Sequence, residues 1–232
     1  MISDLMARTL PRLRRRAGAL DLDALHSVER GALGVDCLAV SLLTDTGRRE
    51  PVWCSDALGR RFEDLEFTLG EGPSGEAAIR GRPVLVPDLA RIRSERWPAL
   101  AIESAPLPVR AVFCFPLGVG AIHVGALTAA RRTRGPLTGP QTDDALVLAA
   151  ALTSLCLAFP DQASGGPEDS PALLRAVVHQ ATGMLSVHLG IPLPEALAML
   201  RAHAFVSGIP VGDISQDIVD RRLRLGENEG EE

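Results

Sequence analysis

Apolar residues in the first two thirds of the chain follow helical and extended periods in turn. Residues 21–33 have helical spacing closed by Gly31 and Gly34, a short helix opens at 71–74, and a long helix is predicted at about 140–159. Short apolar runs between turn residues predict strands at 37–43, 50–54, 84–86, 111–115 and 121–127, with turns at 44–48 and 116–120. This order predicts an α+β fold, an antiparallel sheet flanked by helices.

The apolar pattern after residue 171 is helical throughout. Three helices are predicted, at 172–189, 194–205 and 211–225, separated by Gly and Pro residues that end each one. A bundle this small buries only about 60% of the surface that its unfolded chain exposes, so we expect it to be stabilised by packing against the first domain or a second chain. The second part of the chain is therefore predicted to be a small all-α three-helix bundle.

Two polar segments mark the predicted boundaries. Residues 160–171 are rich in Pro, Gly, Ser and acidic residues, which is typical of a linker, and the chain closes in an acidic stretch. We predict a first domain at 1–160, a linker at 161–171, a helical domain at 172–225 and a disordered acidic tail at 226–232.

Composition narrows the class of protein. The chain has 232 residues, 46% of them hydrophobic, and a net charge of -5, which argues against a uniformly basic protein that coats nucleic acid. The longest apolar run, at 145–158, is too short for a hydrocarbon core of about 30 Å, and no apolar segment follows the N-terminal arginines. We expect a cytoplasmic protein with no membrane partner.

Catalytic and metal-binding patterns are missing from the sequence. It has no phosphate-binding loop with a lysine, no GxGxxG, no CxxC and no pair of histidines at metal-ligand spacing. We therefore expect a protein that is not an enzyme and holds neither a metal nor a cofactor. Three of the four cysteines, Cys37, Cys114 and Cys156, lie in apolar runs and are predicted to be buried free thiols.

Two parts of the chain carry longer motifs. The first has LGEGPSGEA at 69–77, GRPVLVPDL at 81–89, RWP at 96–98 and RAVFCFPL at 110–117, and resembles a GAF domain. The second has VHQATGML at 178–185 and EALAMLRAHAF at 195–205, and resembles an ANTAR domain. Their order is that of bacterial GAF–ANTAR transcription antitermination regulators. The resemblance covers about residues 20–225 and implies a GAF-like sensor followed by an ANTAR-like helical domain.

The resemblance implies a function. ANTAR domains bind paired RNA stem-loops and stabilise an antiterminator, and a GAF domain would control that binding in response to a small-molecule or protein signal, through residues near 140–171. The ligand-binding residues of the sensor are unknown. A homodimer is expected, with 21–33 and 140–159 as candidate interfaces. Thr182 stands where many ANTAR domains have Lys, and Ser74 stands where related GAF domains often have Cys.

Polar residues in the helical domain are the candidate RNA contacts. The first predicted helix of this domain has a stripe of polar residues at spacing i, i+4, i+7 and i+11, and its motif has two more candidates beside that stripe. The second helix has two candidates, and the third helix ends in arginines that could pair with phosphate. These candidates are Arg175, His179, Thr182, Ser186, Gln180, Gly183, Arg201, His203, Arg221 and Arg222. Gly183 is interpreted as permitting close helix approach, and Phe205 as a core residue.

An alternative remains open. The GAF unit could be a metabolite sensor whose C-terminal helices dock a protein partner or bind DNA. For DNA, the third helix would enter a major groove, where Asp213, Asp217 and Asp220 would meet phosphate unfavourably.

Overall fold

The computed structural model describes residues 2–13, 21–43, 49–93, 95–158 and 171–226, apart from the side chains of 171–175. The chain divides into two compact units, Met1–Gly166 and Pro167–Glu232. The predicted turn at 44–48, most of the predicted linker and most of the predicted tail lie outside the described residues. The domain bounds drawn from the sequence stay predictions.

The first unit is built on a five-stranded antiparallel sheet with strand order β2-β1-β5-β4-β3. The strands are β1 (Cys37–Leu43), β2 (Arg49–Cys54), β3 (Val84–Val86), β4 (Ala111–Val119) and β5 (Ile122–Arg131). All five predicted strands are confirmed. The turn between β4 and β5 is tighter than predicted, because Pro116 pairs with Ala126 in the ladder and the chain reverses at Gly120, whose φ is 58°.

Helices cover both faces of this sheet. One face carries α1 (Asp4–Thr9), short turns at Leu10–Leu13, Leu22–Ser27 and Glu29–Leu33, and α5 (Gly139–Ala158). The other carries α2 (Ala57–Leu69), α3 (Pro73–Arg80), the turn Leu89–Arg91 and α4 (Pro98–Glu103). Side chains of a strand alternate between faces, so Phe113 and Phe115 of β4 join the first core while Val112 and Cys114 join the second.

Two helix predictions in this unit were incomplete. Residues 21–33 form a 3-10 turn followed by a π-helical turn instead of one α-helix, although Gly34 ends the segment in the left-handed conformation as expected. The helix α2 was missed. Asp56 caps its first turn by accepting a hydrogen bond from Gly59 N at 2.7 Å, and Gly70 ends it with a φ of 71°.

The second unit is a three-helix bundle, as predicted. Its helices are α6 (Pro171–Leu189), α7 (Leu193–Ser207) and α8 (Val211–Val219). Its core is formed by residues from all three helices and from the segment after α8: Val178, Ala181, Leu185, Ala196, Leu197, Leu200, Ala204, Val211, Ile214, Ile218 and Leu225. The third helix ends at Val219 and not at Leu225, because Arg221 adopts a left-handed conformation with a φ of 61°.

The helix α5 was predicted from a run considered too short for a membrane. With its flanking residues it has 20 residues and, among the described residues, is the one single helix long and apolar enough to cross a bilayer by length and composition. Its residues Asp144, Leu148, Leu152 and Cys156 lie buried in the first unit. That burial is typical of the core helix of a domain.

Candidate functional site

The polar stripe predicted on α6 is interrupted at Thr182. This side chain is 1% exposed, and its hydroxyl donates a 2.6 Å hydrogen bond to the carbonyl of Val178 in its own helix. The hydroxyl is therefore satisfied without water, which is why a polar residue can lie in the core. As an RNA-contacting group, Thr182 was a wrong prediction.

The other members of the stripe have different surroundings. Ser186 is half-buried, and its hydroxyl donates a 2.6 Å hydrogen bond to the carbonyl of Ile191 beyond the end of α6. His179 is half-buried, and the side chain of Arg175 lies outside the described part of the chain. The four residues do not form one continuous polar surface.

The exposed face of α6 is the predicted stripe moved by one residue. Ala176, Gln180 and Val187 are exposed and Gly183 is half-buried; each lies one position after a predicted member, which is a rotation of about 100° round the helix. A Cβ added at Gly183 would meet no heavy atom within 4 Å among the described residues, so this glycine serves no close helix contact within the unit. That interpretation of Gly183 was wrong.

The candidates on α7 lie on opposite flanks of the helix. Arg201 and His203 are two positions apart and both half-buried, so they do not form one surface. The face turned to solvent is largely apolar: Ala198, Met199, Ala202, Phe205 and Val206. Phe205 is 49% exposed, so its assignment to the core was wrong, and its aromatic ring is available to a binding partner.

The arginines after α8 differ in how far they are neutralised. Arg222 forms ion pairs of 2.8 Å with both Asp217 and Asp220. Arg221 is exposed, and the left-handed backbone at this position is unusual for a residue with a side chain. Both follow α8 and do not form its last turn, because Arg222 N donates to the carbonyl of Asp217 and closes the helix.

The interior of the first unit contains a charged cluster that sequence analysis missed. Arg49, at the start of β2, forms ion pairs with Glu63 and, at 3.2 Å, with Glu66, both on α2. Glu66 Oε1 also accepts a 3.1 Å hydrogen bond from the backbone N–H of Ser74 at the start of α3. The side chains of both glutamates are 1% exposed, so two carboxylates share one guanidinium in the core.

Two polar atoms of this cluster lack hydrogen bonds within the described part of the chain. Glu63 Oε1 and the Ser74 hydroxyl are buried and have no hydrogen-bond partner among the residues that the structure describes. Burial, opposed by Arg49 and reinforced by Glu63, raises the pKa of Glu66 to about 8. The signal in the sequence was the pair of acidic residues three apart within the otherwise apolar face of α2, which also broke the pattern that would have predicted the helix.

The predicted buried thiols are confirmed. Cys37, Cys114 and Cys156 are buried and free, and Cys54 is half-buried. Burial raises the pKa of the Cys156 thiol to about 11 and raises that of Cys114 as well. Thiols held protonated in this way are poor nucleophiles, so thiol-based sensing is disfavoured at these positions.

Family comparisons agree with this architecture. A family model of the GAF domain matches residues 23–157, and one of the ANTAR domain matches residues 173–219. The chain belongs to the GAF family and carries an ANTAR domain after it. This pairing defines a signal-controlled ANTAR regulator, built from sensor and regulatory domains that are usually non-enzymatic.

Three solved structures are among those to which this chain is similar. The GAF domain of an Acinetobacter phosphoenolpyruvate-protein phosphotransferase is 16% identical, with a TM-score of 0.50 over 68% of this chain and 96% of that one. The corresponding GAF domain from Coxiella burnetii is 16% identical, with a TM-score of 0.48 over 68% of this chain and 97% of that one. A domain of a Sinorhizobium meliloti sensor histidine kinase is 16% identical, with a TM-score of 0.48 over 69% of this chain and 96% of that one. No curated protein matches the chain.

Proposed function

We propose that this protein is a cytoplasmic, signal-responsive RNA-binding regulator that stabilises antiterminator stem-loops in nascent transcripts under the control of its GAF unit. The observation that carries the proposal is the ANTAR match on α6–α8 directly after a GAF domain. In this proposal the protein is not an enzyme, and its role is to bind.

The helical unit offers the chemistry that RNA loops require. Splayed bases stack on aromatic rings and hydrogen-bond to side-chain amides, and phosphates pair with arginine. Phe205 is an exposed ring, Gln180 is an exposed amide, and Arg221 is an exposed guanidinium. We assign base stacking to Phe205, hydrogen bonding to a base edge to Gln180, and the phosphate contact to Arg221. Arg222 contributes less, because two aspartates already neutralise it.

A homodimer would present two helical units to paired stem-loops. Of the two candidate interfaces, 21–33 directs its apolar side chains into its own unit, where Leu25, Val28 and Leu33 are buried. The helix α5 instead keeps Leu146 and Leu157 exposed, each at 44%. We therefore place the dimer interface on α5.

The test measures binding of the full-length protein to a labelled RNA with two short-looped hairpins. Fluorescence anisotropy gives the affinity at each salt concentration of a titration. Loop-scrambled RNA and duplex DNA are the competitors. Phe205→Ala is expected to weaken binding by about tenfold or more, the loss typical of one stacking contact. Arg221→Gly is expected to lower the slope of log affinity against log salt by about 1.

Arg61→Ala is the matched control, since this exposed arginine lies on α2 of the GAF unit. It should leave both affinity and salt slope unchanged. Equal binding of the hairpin RNA, the scrambled RNA and the DNA would contradict antitermination. Complete absence of nucleic-acid binding would favour a helical unit that docks a protein.

A further inference from the structure

A surface cleft of about 440 Å³ lies at the sheet edge formed by β3 of the GAF unit. Its apolar lining includes Leu85, Ile92 and Trp97, and Leu85 is 46% exposed although it is a large apolar residue on an edge strand. Three arginines line the same cleft: Arg91, Arg96 and Arg134. The cleft thus combines an apolar surface with several guanidinium groups.

Arg96 is held in a defined orientation. Its Nε and Nη2 donate hydrogen bonds of 3.0 and 2.7 Å to the two carboxylate oxygens of Glu76, and its Cζ lies 4.2 Å from the centre of the Trp97 ring. The bidentate pair and the stacked ring restrict the rotamers of this long side chain. A ligand that contacts Arg96 would therefore pay less entropy than it would for a freely rotating arginine.

The other two arginines share one carboxylate. Arg91 Nε lies 3.6 Å and Arg134 Nε 3.4 Å from different oxygens of Asp88, and Asp88 Oδ1 also accepts a hydrogen bond from Ala90 N. The remaining guanidinium surface is open to solvent, since the side chains of Arg91 and Arg134 are 87% and 62% exposed. Among the described lining residues Asp88 is the one carboxylate, and Glu76 outside the lining neutralises Arg96. Arg91 and Arg134 share Asp88, so the cleft keeps an excess of one positive charge on these two guanidinium groups.

We propose that this cleft binds a small organic anion, in which a ring or other apolar group lies on Leu85 and Ile92 and a phosphate or carboxylate group pairs with Arg91 and Arg134. Guanidinium groups recognise both anions through paired hydrogen bonds, and ligand sites typically join an apolar surface to a few polar anchors. The inference deepens the sensor half of the proposed function, because it assigns a chemical class to the signal. It is separate from the buried cluster around Arg49.

The experiment is isothermal titration calorimetry of the full-length protein at low salt, with no RNA present. The probes are phenyl phosphate, benzoate, inorganic phosphate and the neutral benzyl alcohol. We expect at least one aromatic anion to bind, inorganic phosphate to bind more weakly, and benzyl alcohol not to bind. The double variant Arg91→Gln/Arg134→Gln should weaken binding by about tenfold or more, the loss expected when charge-assisted hydrogen bonds are removed.

Two further variants separate the contributions. Leu85→Ala should weaken binding of the aromatic anion and leave the affinity for inorganic phosphate unchanged. Arg61→Gln removes a charge outside the cleft and should change neither affinity. The proposal is overturned if neither aromatic anion binds, or if the double variant binds as tightly as the wild type. Failure of RNA binding would leave this result intact, because the calorimetry contains no RNA.

Discussion

Glu66 is expected to make the GAF unit less stable as the pH rises through neutrality. Its carboxylate is buried, lies 3.2 Å from Arg49 Nη2, and competes with Glu63 for that guanidinium. Burial is the main cause that raises its pKa from 4.5 to about 8, and the negative charge of Glu63 adds to the shift. The folded protein therefore holds this proton more tightly than the unfolded chain.

The sign and size follow from proton linkage. Between the two pKa values the folded state binds more protons than the unfolded state, so the free energy of unfolding falls as the pH rises. The stabilisation is complete below the unfolded pKa of 4.5 and is lost as the pH passes the folded pKa of about 8. From pH 6 to pH 8 the loss amounts to about 2 kcal/mol.

The assay uses the position of the tryptophans. The chain has two, Trp53 and Trp97, and both lie in the GAF unit, so their fluorescence during urea unfolding reports this unit alone. Wild-type protein and Glu66→Gln are compared from pH 6 to pH 8. Glu66→Gln should lose most of the pH dependence, with a residual slope from Glu29, whose pKa burial also raises.

Glu95→Gln is the matched control, because this carboxylate is exposed and its removal should keep the wild-type slope. The buried thiols do not interfere, since their raised pKa values keep them protonated over this range. A Glu66→Gln variant that loses stability with pH as steeply as the wild type would refute the reasoning.

Three further predictions concern packing, backbone strain and assembly. Gly125→Ala should destabilise the GAF unit by about 2 kcal/mol or more, because the added Cβ would lie 2.0 Å from the Ser41 carbonyl oxygen across the β1–β5 ladder; urea unfolding measures the loss. Arg221→Gly should stabilise the helical unit by about 1 kcal/mol by removing a side chain from a left-handed backbone, seen as slower amide hydrogen exchange in α8. Leu146→Asp should shift the proposed dimer toward monomer in light scattering, because it places a charge on the exposed apolar face of α5.

Each of these predictions has an internal comparison. Gly139→Ala is the control for Gly125→Ala, since a Cβ added at Gly139 would meet no atom of the described residues within 4 Å and the backbone there is not left-handed. Arg222→Gly should not stabilise the bundle, because the left-handed residue is Arg221. Asp replacing the buried Leu148 would unfold the unit, so an intact but monomeric Leu146→Asp protein is the informative result.

The sheet and the three helices could be predicted because each depends on local periodicity. The alternation in β4 places Phe113 and Phe115 on one face, and the apolar spacing of α7 places Leu197, Leu200 and Ala204 on another. These patterns are local consequences of strand and helix geometry. The motifs that resemble GAF and ANTAR domains lie on those same elements, so the family could also be identified from the sequence.

The candidate interface depended on information that periodicity does not contain. Thr182 looked exposed because it is polar, yet its hydroxyl is satisfied by its own helix and it lies in the core. Phe205 looked buried because it is aromatic, yet it faces solvent. In both cases the rotation of the helix against its neighbours decided exposure, and residue type alone did not.

By itself the sequence determined the five strands, the helices α3 and α5–α8, their order and the family, because backbone geometry and side-chain hydrophobicity act over a few neighbouring residues. Only the tertiary structure decided which residues meet across long separations. It brought Arg49 to Glu63 and Glu66, and it joined the loop arginines after β3 and β5 around one cleft. Such contacts depend on how strands and helices pack together, so no local pattern marks them in advance.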